Sequence, residues 1–358
     1  SSNQPEASQR ALPAVSGARV LDRFSRPLHD LRVSVTDRCN FRCDYCMPAA
    51  VYADERRFLP NTELLSFDEI VRVVNLAARE LGVGKLRLTG GEPLLRPRLP
   101  ELIERLAQLA VLDEITLTTN GLLLAAQAAQ LRAAGLSRIT VSLDSLDEAG
   151  FARMSGGVHG LSRVLDGLAA ATRAGFERIK LNCVVVRGQN EDAILGLAQH
   201  FPGTPHIVRF IEYMDVGTQN RWRTEDVVSA HEIIDRIGEH WPLERVAPNY
   251  AGEVARRYRY ADGAGEIGVI ASVSEPFCGQ CQRARLSADG RLLTCLFAAD
   301  GVALKPLLRG QPGPEGDAAL RTLLSETWRA RNDRYSQERE QQDARRPRRR
   351  LEMYQVGG

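Results

Sequence analysis

Three of the seven cysteines in this 358-residue chain lie within eight positions, in the stretch VTDRCNFRCDYCMP. They are Cys39, Cys43 and Cys46, and they follow LRVSV, whose alternation is typical of a strand. The spacing C-x3-C-x2-C lets three thiolates converge from one loop, an arrangement that suits a metal centre. The sequence therefore predicts a metal site in the loop that follows the first strand.

Short strand-like runs alternate with segments of helical length along much of the chain. The six runs are LRVSV, KLRLT, EITLTT, RITVSL, IKLNCVVV and IVRFIEYM. Repeated βα units predict an α/β fold with a parallel sheet and right-handed crossovers. The periodicity alone leaves two architectures open, a doubly wound sheet and an incomplete barrel. In a barrel, the polar segments that follow the strands gather at one mouth, among them TGGEPLLR, TNG and SLDS.

The pattern changes around Pro242, where short irregular strands begin. We therefore predict three parts, a disordered arm over residues 1–21, a βα part over 22–241 and a second module over 242–358. Within the second module, ARLSADGRLLTCLF predicts a hairpin around ADG. PLLRGQPGPEG is expected to be a loop, and DAALRTLLSETWRARNDRY is expected to be a helix.

Composition argues against several classes of protein. A formal net charge of +2 argues against a generally basic nucleic-acid binder. No apolar run approaches the roughly 18 residues that span a bilayer, and the opening segment has no apolar core of a secretory signal. We therefore expect a cytoplasmic protein without membrane or nucleic-acid partners. In that compartment thiols stay reduced, and clustered cysteines more often bind metal than form disulfides.

A second group of cysteines also has three members and not four. It comprises Cys278, Cys281 and Cys295, which the predicted hairpin brings together. A structural zinc normally takes four protein ligands, and a [4Fe–4S] cluster with four cysteines is saturated. Three ligands leave one iron open for a substrate or cosubstrate, although a zinc ribbon with a distant fourth ligand stays an alternative for this triplet. Cys183, within KLNCVVV, is expected to be a small buried hydrophobe.

The first triplet and the GGEP segment at residues 90–93 resemble those of the radical S-adenosylmethionine (SAM) enzymes. In that superfamily SAM binds the open iron, and the GGEP segment contacts its amino group. The two triplets together resemble one family, the MoaA-type GTP 3′,8-cyclases of molybdenum cofactor biosynthesis. The resemblance runs from about Asp22 to the end and includes LRVSVTDRCNFRCDYCMP, RLTGGEPLLR, LTTNG, FIEYMDVG, FCGQCQRARLSADGRLLTCLF and MYQVGG. It departs at Ala284, where the family usually has Leu or a similar residue, and in the loosely similar stretch 310–335.

This resemblance implies an incomplete (βα)6 TIM-like barrel with a C-terminal second-cluster module. It implies two [4Fe–4S] clusters and SAM as cofactors, and GTP as the substrate. The implied product is (8S)-3′,8-cyclo-7,8-dihydroguanosine 5′-triphosphate. It forms when a 5′-deoxyadenosyl radical removes the ribose C3′ hydrogen, the C3′ radical attacks C8 of guanine, and the resulting aminyl radical is reduced by one electron and protonated. The implied partners are a reducing electron donor, a downstream cyclic pyranopterin-forming enzyme and a second copy of the chain in a homodimer.

The resemblance also assigns roles to individual positions. The residues expected to take part in catalysis are Cys39, Cys43, Cys46, Arg283, Arg285, Gly357 and Gly358. Those expected to contact SAM are Tyr45, Gly91, Ser142 and Met214. Those expected to bind GTP are Arg32, Arg87, Thr118, Lys180, Arg283 and Arg285. The expected metal ligands are Cys39, Cys43, Cys46, Cys278, Cys281 and Cys295.

Two other classes of protein stay open on these residues. One is another radical SAM enzyme with an auxiliary cluster, such as a peptide maturase, which would bind a peptide in place of GTP. The other is a non-enzymatic iron–sulfur electron-transfer protein, which would hold iron without cleaving SAM.

Overall fold

A computed structural model describes residues 19–52, 58–250, 252–310, 313–339 and 351–357. Its strands are β1 (Asp30–Ser34), β2 (Lys85–Thr89), β3 (Glu114–Thr119), β4 (Arg138–Ser142), β5 (Lys180–Val185), β6 (Ile207–Glu212), β7 (Leu243–Val246), β8 (Arg256–Tyr260), β9 (Glu266–Ile270), β10 (Arg283–Leu286), β11 (Arg291–Leu293) and β12 (Val302–Ala303). Its helices are α1 (Ala49–Tyr52), α2 (Phe67–Leu81), α3 (Leu99–Ala107), α4 (Leu124–Ala133), α5 (Glu148–Ser155), α6 (Leu161–Arg173), α7 (Ala193–His200), α8 (Ala230–Gly238), α9 (Lys305–Gly310), α10 (Pro314–Ala330) and α11 (Met353–Val356).

The described residues form one twelve-stranded sheet, in the order β12-β11-β10-β1-β2-β3-β4-β5-β6-β9-β8-β7. The six predicted strands, β1 to β6, are adjacent, parallel and in chain order, with at least one helix in each connection. This finding confirms the predicted α/β fold with a parallel sheet. Within the described part of the chain, the strand order ends at β12 and β7, and no ladder joins these two strands.

The C-terminal part of the chain adds one parallel strand to each side of these six. β10 pairs with β1, and β9 pairs with β6, so that eight parallel strands lie side by side. Antiparallel strands then extend both sides of the sheet. The boundary predicted between residues 241 and 242 therefore falls within one continuous sheet, and the division into modules stays a prediction.

Side chains of the parallel strands alternate between a core face and a cavity face, because the period of a strand is two residues. In β1, Leu31 and Val33 are buried in the main core, whereas Arg32 lines a cavity. In β5, Cys183 is fully buried in the core, as predicted, whereas Lys180 lines the cavity. The helices cover the core face with apolar side chains, and the opposite face of the sheet carries polar residues together with a few apolar ones, such as Val184, Ile211 and Ile270.

Helix α2 shows how local sequence sets these covering elements. Ser66 caps its first turn, because the Ser66 hydroxyl accepts from the backbone N–H of Glu69 and the Glu69 carboxylate accepts from that of Ser66. Gly82 ends the helix with a left-handed φ of 79°. The buried face of α2 comprises Ile70, Val73, Val74, Leu76, Ala77, Ala78 and Leu81.

Of the three predictions for elements of the second module, two are confirmed and one is wrong in part. The hairpin predicted around ADG is confirmed, since β10 and β11 are antiparallel. The helix predicted after it is also confirmed, as α10. The predicted loop PLLRGQPGPEG is wrong for its first residues, which belong to α9. Leu304 and Leu308 are buried in the main core, and Pro306 fits the first turn of a helix, where its missing N–H has no intrahelical role.

Several predictions fall partly outside the described residues. Gly358 and residues 1–18 of the predicted arm lie there. Within the described part of that arm, Val20 is buried in the main core and Leu21 forms a bridge with Pro27. Among the helices that are described, none combines the length and the apolar character needed to cross a bilayer.

Candidate active site

The cavity face of the parallel strands surrounds one large cavity. It contains about 2340 Å³ of empty space, its open mouth included. The predicted site residues that line it are Arg32, Cys39, Cys43, Tyr45, Cys46, Arg87, Gly91, Thr118, Ser142, Lys180, Met214, Cys278, Cys281, Arg283, Arg285 and Cys295.

The loop that carries the first cysteine triplet is fixed through its backbone. The Gly91 N–H donates to the carbonyl oxygen of Thr36 over 2.9 Å. A Cβ atom at Gly91 would lie 2.3 Å from the carbonyl oxygen of Arg38, so that only glycine allows this close approach. On the other side of the loop, the Arg42 N–H donates to the carbonyl oxygen of Ser155 over 2.9 Å. The GGEP segment therefore holds the cysteine loop in place as well as lining the cavity.

The carboxylate of Glu92 ties the ends of β2 and β3 together. It accepts from the Thr119 hydroxyl and from the Asn120 N–H, each over 2.7 Å. The Asn120 side-chain amide in turn donates to Asn40 Oδ1, inside the cysteine loop, over 2.7 Å. Burial raises the pKa of Glu92 to about 7, although these hydrogen bonds act to lower it. Three successive βα loops are thereby joined into one unit at the mouth of the cavity.

Tyr45, within the first triplet, is held by a buried acid from the loop that follows β4. Its hydroxyl donates to Asp144 Oδ2 over 2.8 Å, and Asp144 Oδ1 accepts from the Val184 N–H over 2.8 Å. Burial raises the pKa of Asp144 to about 6. Ser142 and Met214 line the same cavity. The hydroxyl of Tyr45 is thus engaged with the protein, and Tyr45 itself lines the cavity.

The second triplet begins on a single turn of 3-10 helix. The Cys281 N–H donates to the Cys278 carbonyl oxygen over 3.1 Å, and Arg283 Nη2 donates to Cys281 Sγ over 3.4 Å. Burial raises the pKa of Cys281, but the guanidinium groups of Arg283 and Arg331 lower it by more, to about 6. Burial raises the pKa of Cys295 to about 12. Metal ligation needs the thiolate, which the two guanidinium groups favour at Cys281.

Three arginines form a row across the sheet beside the two triplets. Arg32 on β1 pairs in register with Arg285 on β10 and with Arg87 on β2. Burial and the charges of the other arginines lower the pKa of Arg32 and bring that of Arg285 to about 9. Burial also lowers the pKa of Arg87, whose Nη1 donates to the Thr118 hydroxyl oxygen over 3.0 Å. A row of cations this crowded favours a ligand with several negative charges.

Two further cations extend this positive surface onto β5 and β6. Burial, followed by the charge of Arg209, lowers the pKa of Lys180 to about 6. Burial and the charge of Arg87 lower the pKa of Arg209 to about 9, and Arg209 Nε donates to Asn182 Oδ1 over 3.0 Å. Among the described residues, none of the five cations Arg32, Arg87, Lys180, Arg209 and Arg285 forms an ion pair.

The C-terminal segment reaches this row of arginines. Arg285 Nη1 donates to the carbonyl oxygen of Val356 over 2.9 Å and also contacts that of Gly357. Gly357 has a φ of 73°, and a Cβ atom there would lie 2.3 Å from Thr89 Cγ2 and 3.0 Å from Ser34 Oγ. The position therefore requires glycine for both its backbone conformation and its close packing.

Comparison with known proteins agrees with this arrangement. Residues 33–201 match the Radical SAM superfamily, and residues 206–337 match Molybdenum Cofactor Synthesis C. A GTP 3′,8-cyclase of Xanthomonas campestris pv. campestris (strain B100) is 53% identical over 347 residues, which cover 97% of this chain and 100% of that protein. This chain belongs to the GTP 3′,8-cyclase family.

Other members of the GTP 3′,8-cyclase family are similarly related. The protein of Acidothermus cellulolyticus is 52% identical over 319 residues, which cover 89% of this chain and 88% of that protein. The protein of Staphylococcus aureus (strain MRSA252) is 44% identical over 342 residues, which cover 95% and 99%. Among solved structures, the chain is similar to methylornithine synthase (PylB), with a TM-score of 0.45, 16% identity and coverage of 60% of this chain and 62% of that one.

The cysteines of this member of the GTP 3′,8-cyclase family fit iron–sulfur clusters. All six are free thiols, and the described cavity wall contains no other Cys and no His. Each triplet thus offers three thiolates and leaves one iron of a [4Fe–4S] cluster open. In the described ranges, no group of three or more His, Cys, Asp or Glu side chains is arranged to hold a single metal ion. A [4Fe–4S] cluster does not need several side chains around one ion, because each thiolate binds a different iron.

Sequence reasoning missed several cavity residues of this GTP 3′,8-cyclase family member. They include Asp30, Asp144, Asn182, Arg209, Tyr250 and Arg331. Arg209 had a readable signal, since it interrupts the apolar strand IVRFIEYM as Arg32 interrupts LRVSV. Arg331 had none, because it stands among the many charged residues that follow the helix α10.

Proposed function

We propose that this chain is a radical SAM GTP 3′,8-cyclase, which converts GTP to (8S)-3′,8-cyclo-7,8-dihydroguanosine 5′-triphosphate in the first step of molybdenum cofactor biosynthesis. One observation carries the proposal. Two three-cysteine loops face a single cavity, whose wall also presents a row of arginines, Arg285 buried and Arg32 and Arg87 half-buried, without ion-pair partners among the described residues. Membership of the GTP 3′,8-cyclase family supports it.

We propose that each triplet holds one [4Fe–4S] cluster, with SAM on the open iron of the first and the substrate near the second. When bound, the first cluster and SAM supply the one-electron chemistry that removes hydrogen from the ribose. Two clusters are supported by the two triplets, because each offers three free thiols and both line the same cavity. A reductant is needed because each cleavage of SAM consumes one electron.

Tyr45, Gly91, Ser142 and Met214 would contact SAM. All four line the cavity that the first triplet also lines. The bond from the Tyr45 hydroxyl to Asp144 holds the tyrosine ring toward the cavity, where a flat face suits an adenine. Ser142 offers a hydroxyl, Met214 an adaptable apolar surface, and Gly91 a close approach to the backbone.

Arg32, Arg87, Lys180, Arg283 and Arg285 would bind the triphosphate, with Thr118 orienting Arg87. In the free protein, burial and the charges of neighbouring arginines lower the pKa values of Arg32 and Arg285, so that the arginine row is electrostatically unfavourable. A triphosphate relieves that repulsion, so that binding energy is concentrated at the charged end of the nucleotide. With its triphosphate held in this way, the nucleotide has its ribose and base already positioned for reaction.

The C-terminal glycines would complete this wall. Gly357 lies against Thr89, and the carbonyl oxygens beside it orient Arg285. We propose that Gly357 supports catalysis by keeping Arg285 directed into the cavity and by excluding water from it, and a catalytic role of Gly358, which lies outside the described residues, stays a prediction. Arg283 and Arg285 are two residues apart on β10, so that both side chains project from the same face of the sheet.

The test is an anaerobic incubation of iron-reconstituted protein with SAM, a strong reductant and each nucleoside triphosphate in turn. We expect 5′-deoxyadenosine and a cyclised nucleotide with GTP alone, and loss of both in Cys39→Ala and in Cys278→Ala. Cys183→Ala is the matched control, because Cys183 is buried in the core away from the cavity, and it should retain activity. Cleavage of SAM that ignores GTP would point to another radical SAM enzyme, such as a peptide maturase. Fully loaded clusters without SAM cleavage would point to an electron-transfer protein.

The proposed reaction also requires partners. A reducing electron donor must supply the cluster, and the cyclised nucleotide must be consumed by a cyclic pyranopterin-forming enzyme. A cytoplasmic location and a homodimer stay predictions.

A further inference from the structure

Four charged residues from distant parts of the chain meet behind the second cysteine triplet. Asp22 and Arg26 precede β1, whereas Arg331 and Asp333 follow α10. The side chains of Asp22, Arg331 and Arg26 are 0%, 2% and 3% exposed. We call these four residues the clasp.

The clasp is closed by its own ion pairs and hydrogen bonds. Asp22 Oδ2 accepts from Arg26 Nε over 2.6 Å and lies 3.4 Å from Arg331 Nη1. Arg331 Nε donates to Asp333 Oδ2 over 2.9 Å, and Arg26 Nη1 and Nη2 donate to the Asp333 carbonyl oxygen over 3.1 Å. Two positive and two negative side chains thus balance, which is the condition for burying them.

The two arginines of the clasp hold the first two cysteines of the triplet. Arg26 Nη1 donates to the Cys278 carbonyl oxygen over 2.7 Å. Arg331 Nη1 donates to the Cys281 carbonyl oxygen over 2.8 Å. Each cysteine of this turn therefore has its backbone fixed by a different guanidinium group.

The third cysteine is reached through its neighbour. Asp333 Oδ1 accepts from the Thr294 hydroxyl over 3.2 Å, and Thr294 directly precedes Cys295. The clasp is itself braced by Trp328, whose ring lies 4.6 Å from the Arg331 guanidinium carbon and whose N–H donates to the Arg26 carbonyl oxygen over 3.0 Å. All three cysteine positions are in this way connected to one rigid group of side chains.

Stability alone does not account for such a group. Buried ion pairs can often be replaced by apolar residues of similar volume without loss of stability. The contacts of the clasp are instead directed at the three positions that have to present thiolates together. Partners of this kind, which orient the residues that bind a metal, typically change metal affinity about 10- to 100-fold when removed.

We propose that the clasp is the positioning framework of the second cluster site, which holds the three cysteine segments in the arrangement that an iron–sulfur cluster needs. This inference rests on the proposed function, because it requires a cluster at the second triplet. Arg26, Arg331 and Asp333 act through the cysteines as positioning residues, and Asp22 fixes both arginines.

The test uses the full chain in two backgrounds that each assemble one cluster. In the second-site background the cysteines of the first triplet are replaced by alanine, and in the first-site background those of the second triplet are replaced. Arg331→Met and Thr294→Val are introduced into both. The matched control is Arg72→Met, which removes the 2.6 Å pair of Arg72 with Asp317, between α2 and α10. After anaerobic reconstitution, iron and sulfide per chain, resistance to a chelator and the electron paramagnetic resonance spectrum of the reduced cluster are measured.

In the second-site background we expect Arg331→Met to weaken iron retention about 10-fold or more and to alter the spectrum, with a smaller loss in Thr294→Val. In the first-site background both variants should match their parent, and Arg72→Met should do so in both. Equal retention by Arg331→Met and its parent would overturn the clasp. Equal losses in the two backgrounds would also overturn it, because they indicate general destabilisation. If the second-site parent itself binds no cluster, the proposed second cluster is wrong and the clasp inference is wrong with it.

Discussion

Arg32 and Arg285 lie opposite each other on adjacent parallel strands, although they come from opposite ends of the chain. Arg87 continues the row on the next strand. Burial, followed by the charge of Arg285, lowers the pKa of Arg32, and burial, followed by the charge of Arg283, lowers that of Arg285 to about 9. The row is therefore unfavourable in the free protein and becomes favourable when an anion binds. This relationship leads to the first prediction.

Replacing Arg32 by methionine should weaken the binding of GTP without lowering the stability of the fold. Loss of one charge relieves repulsion in the row, so that the free energy of unfolding in urea should stay the same or rise. Hydrogen bonds to charged groups are worth roughly 1.5–3 kcal/mol, and GTP affinity should fall about 10- to 100-fold. Arg163→Met, at an exposed position of α6, is the control and should change neither quantity. A destabilised Arg32→Met protein that binds GTP normally would contradict the proposed role.

Lys180 should take up a proton when GTP binds. Burial and the charge of Arg209 lower its pKa from 10.5 to about 6, so that the amine of the free protein is largely neutral at about pH 8. Phosphate oxygens favour the charged amine and raise its pKa. Because binding then takes up protons, GTP affinity should fall as the pH rises from about 7 to about 8.5.

Calorimetry in buffers of different ionisation enthalpy measures that proton uptake directly. Lys180→Arg should abolish most of it, because arginine stays protonated throughout this range. Proton uptake of the same size in Lys180→Arg and in the parent protein would show that another group is responsible.

Gly357→Ala should lower GTP-dependent turnover by releasing the C-terminal segment. The new Cβ would lie 2.3 Å from Thr89 Cγ2, and the φ of 73° costs roughly 1–2 kcal/mol for a residue with a side chain. Thr89→Ser removes the methyl group and should restore part of the turnover in the double variant. Protease sensitivity of the C-terminal segment should follow the same order. A double variant no better than Gly357→Ala would mean that the backbone conformation, and not the contact with Thr89, is limiting.

Gly91→Ala should impair the first cysteine loop and not the second. Its Cβ would lie 2.3 Å from the Arg38 carbonyl oxygen, and backbone cannot move aside as a flexible side chain can. Iron retained by the chain that keeps only the first triplet should therefore fall severalfold. Gly196→Ala is the control, because a Cβ there meets nothing within 4 Å and alanine favours the helix α7. Normal iron retention in Gly91→Ala would show that the loop can move to accommodate the methyl group.

Much of this arrangement could be predicted from local patterns. The strands β1 to β6 alternate with helical segments over short distances, so that period and chain order were enough to predict a parallel sheet. The spacing of each cysteine triplet is also local, and both triplets line the cavity. Arg32, the charged residue within LRVSV, also lines the cavity.

Long-range pairing could not be predicted in the same way. The short runs that form β9 and β10 contain no signal of the strands with which they pair. Nothing in these runs indicates that β9 and β10 lie on opposite sides of one sheet. The clasp depends on that pairing, because Arg26 and Arg331 meet only when the two ends of the chain are brought together. The helix α9 could not be predicted for a different reason. Its segment contains Pro and Gly, which are typical of loops, and the burial of Leu308 depends on tertiary packing.

The strands β9 and β10 are synthesised only after β1 to β6 have left the ribosome. Until then, both outer strands of the six-stranded sheet expose unpaired backbone groups, a state prone to association with other chains. At roughly 5–20 residues per second this interval lasts several seconds, long enough for a chaperone to bind the nascent chain. Cys295, which completes the second cysteine triplet, and the last turn of the chain are made later still. Delivery of iron and sulfide to the finished site therefore belongs to the period after translation has ended.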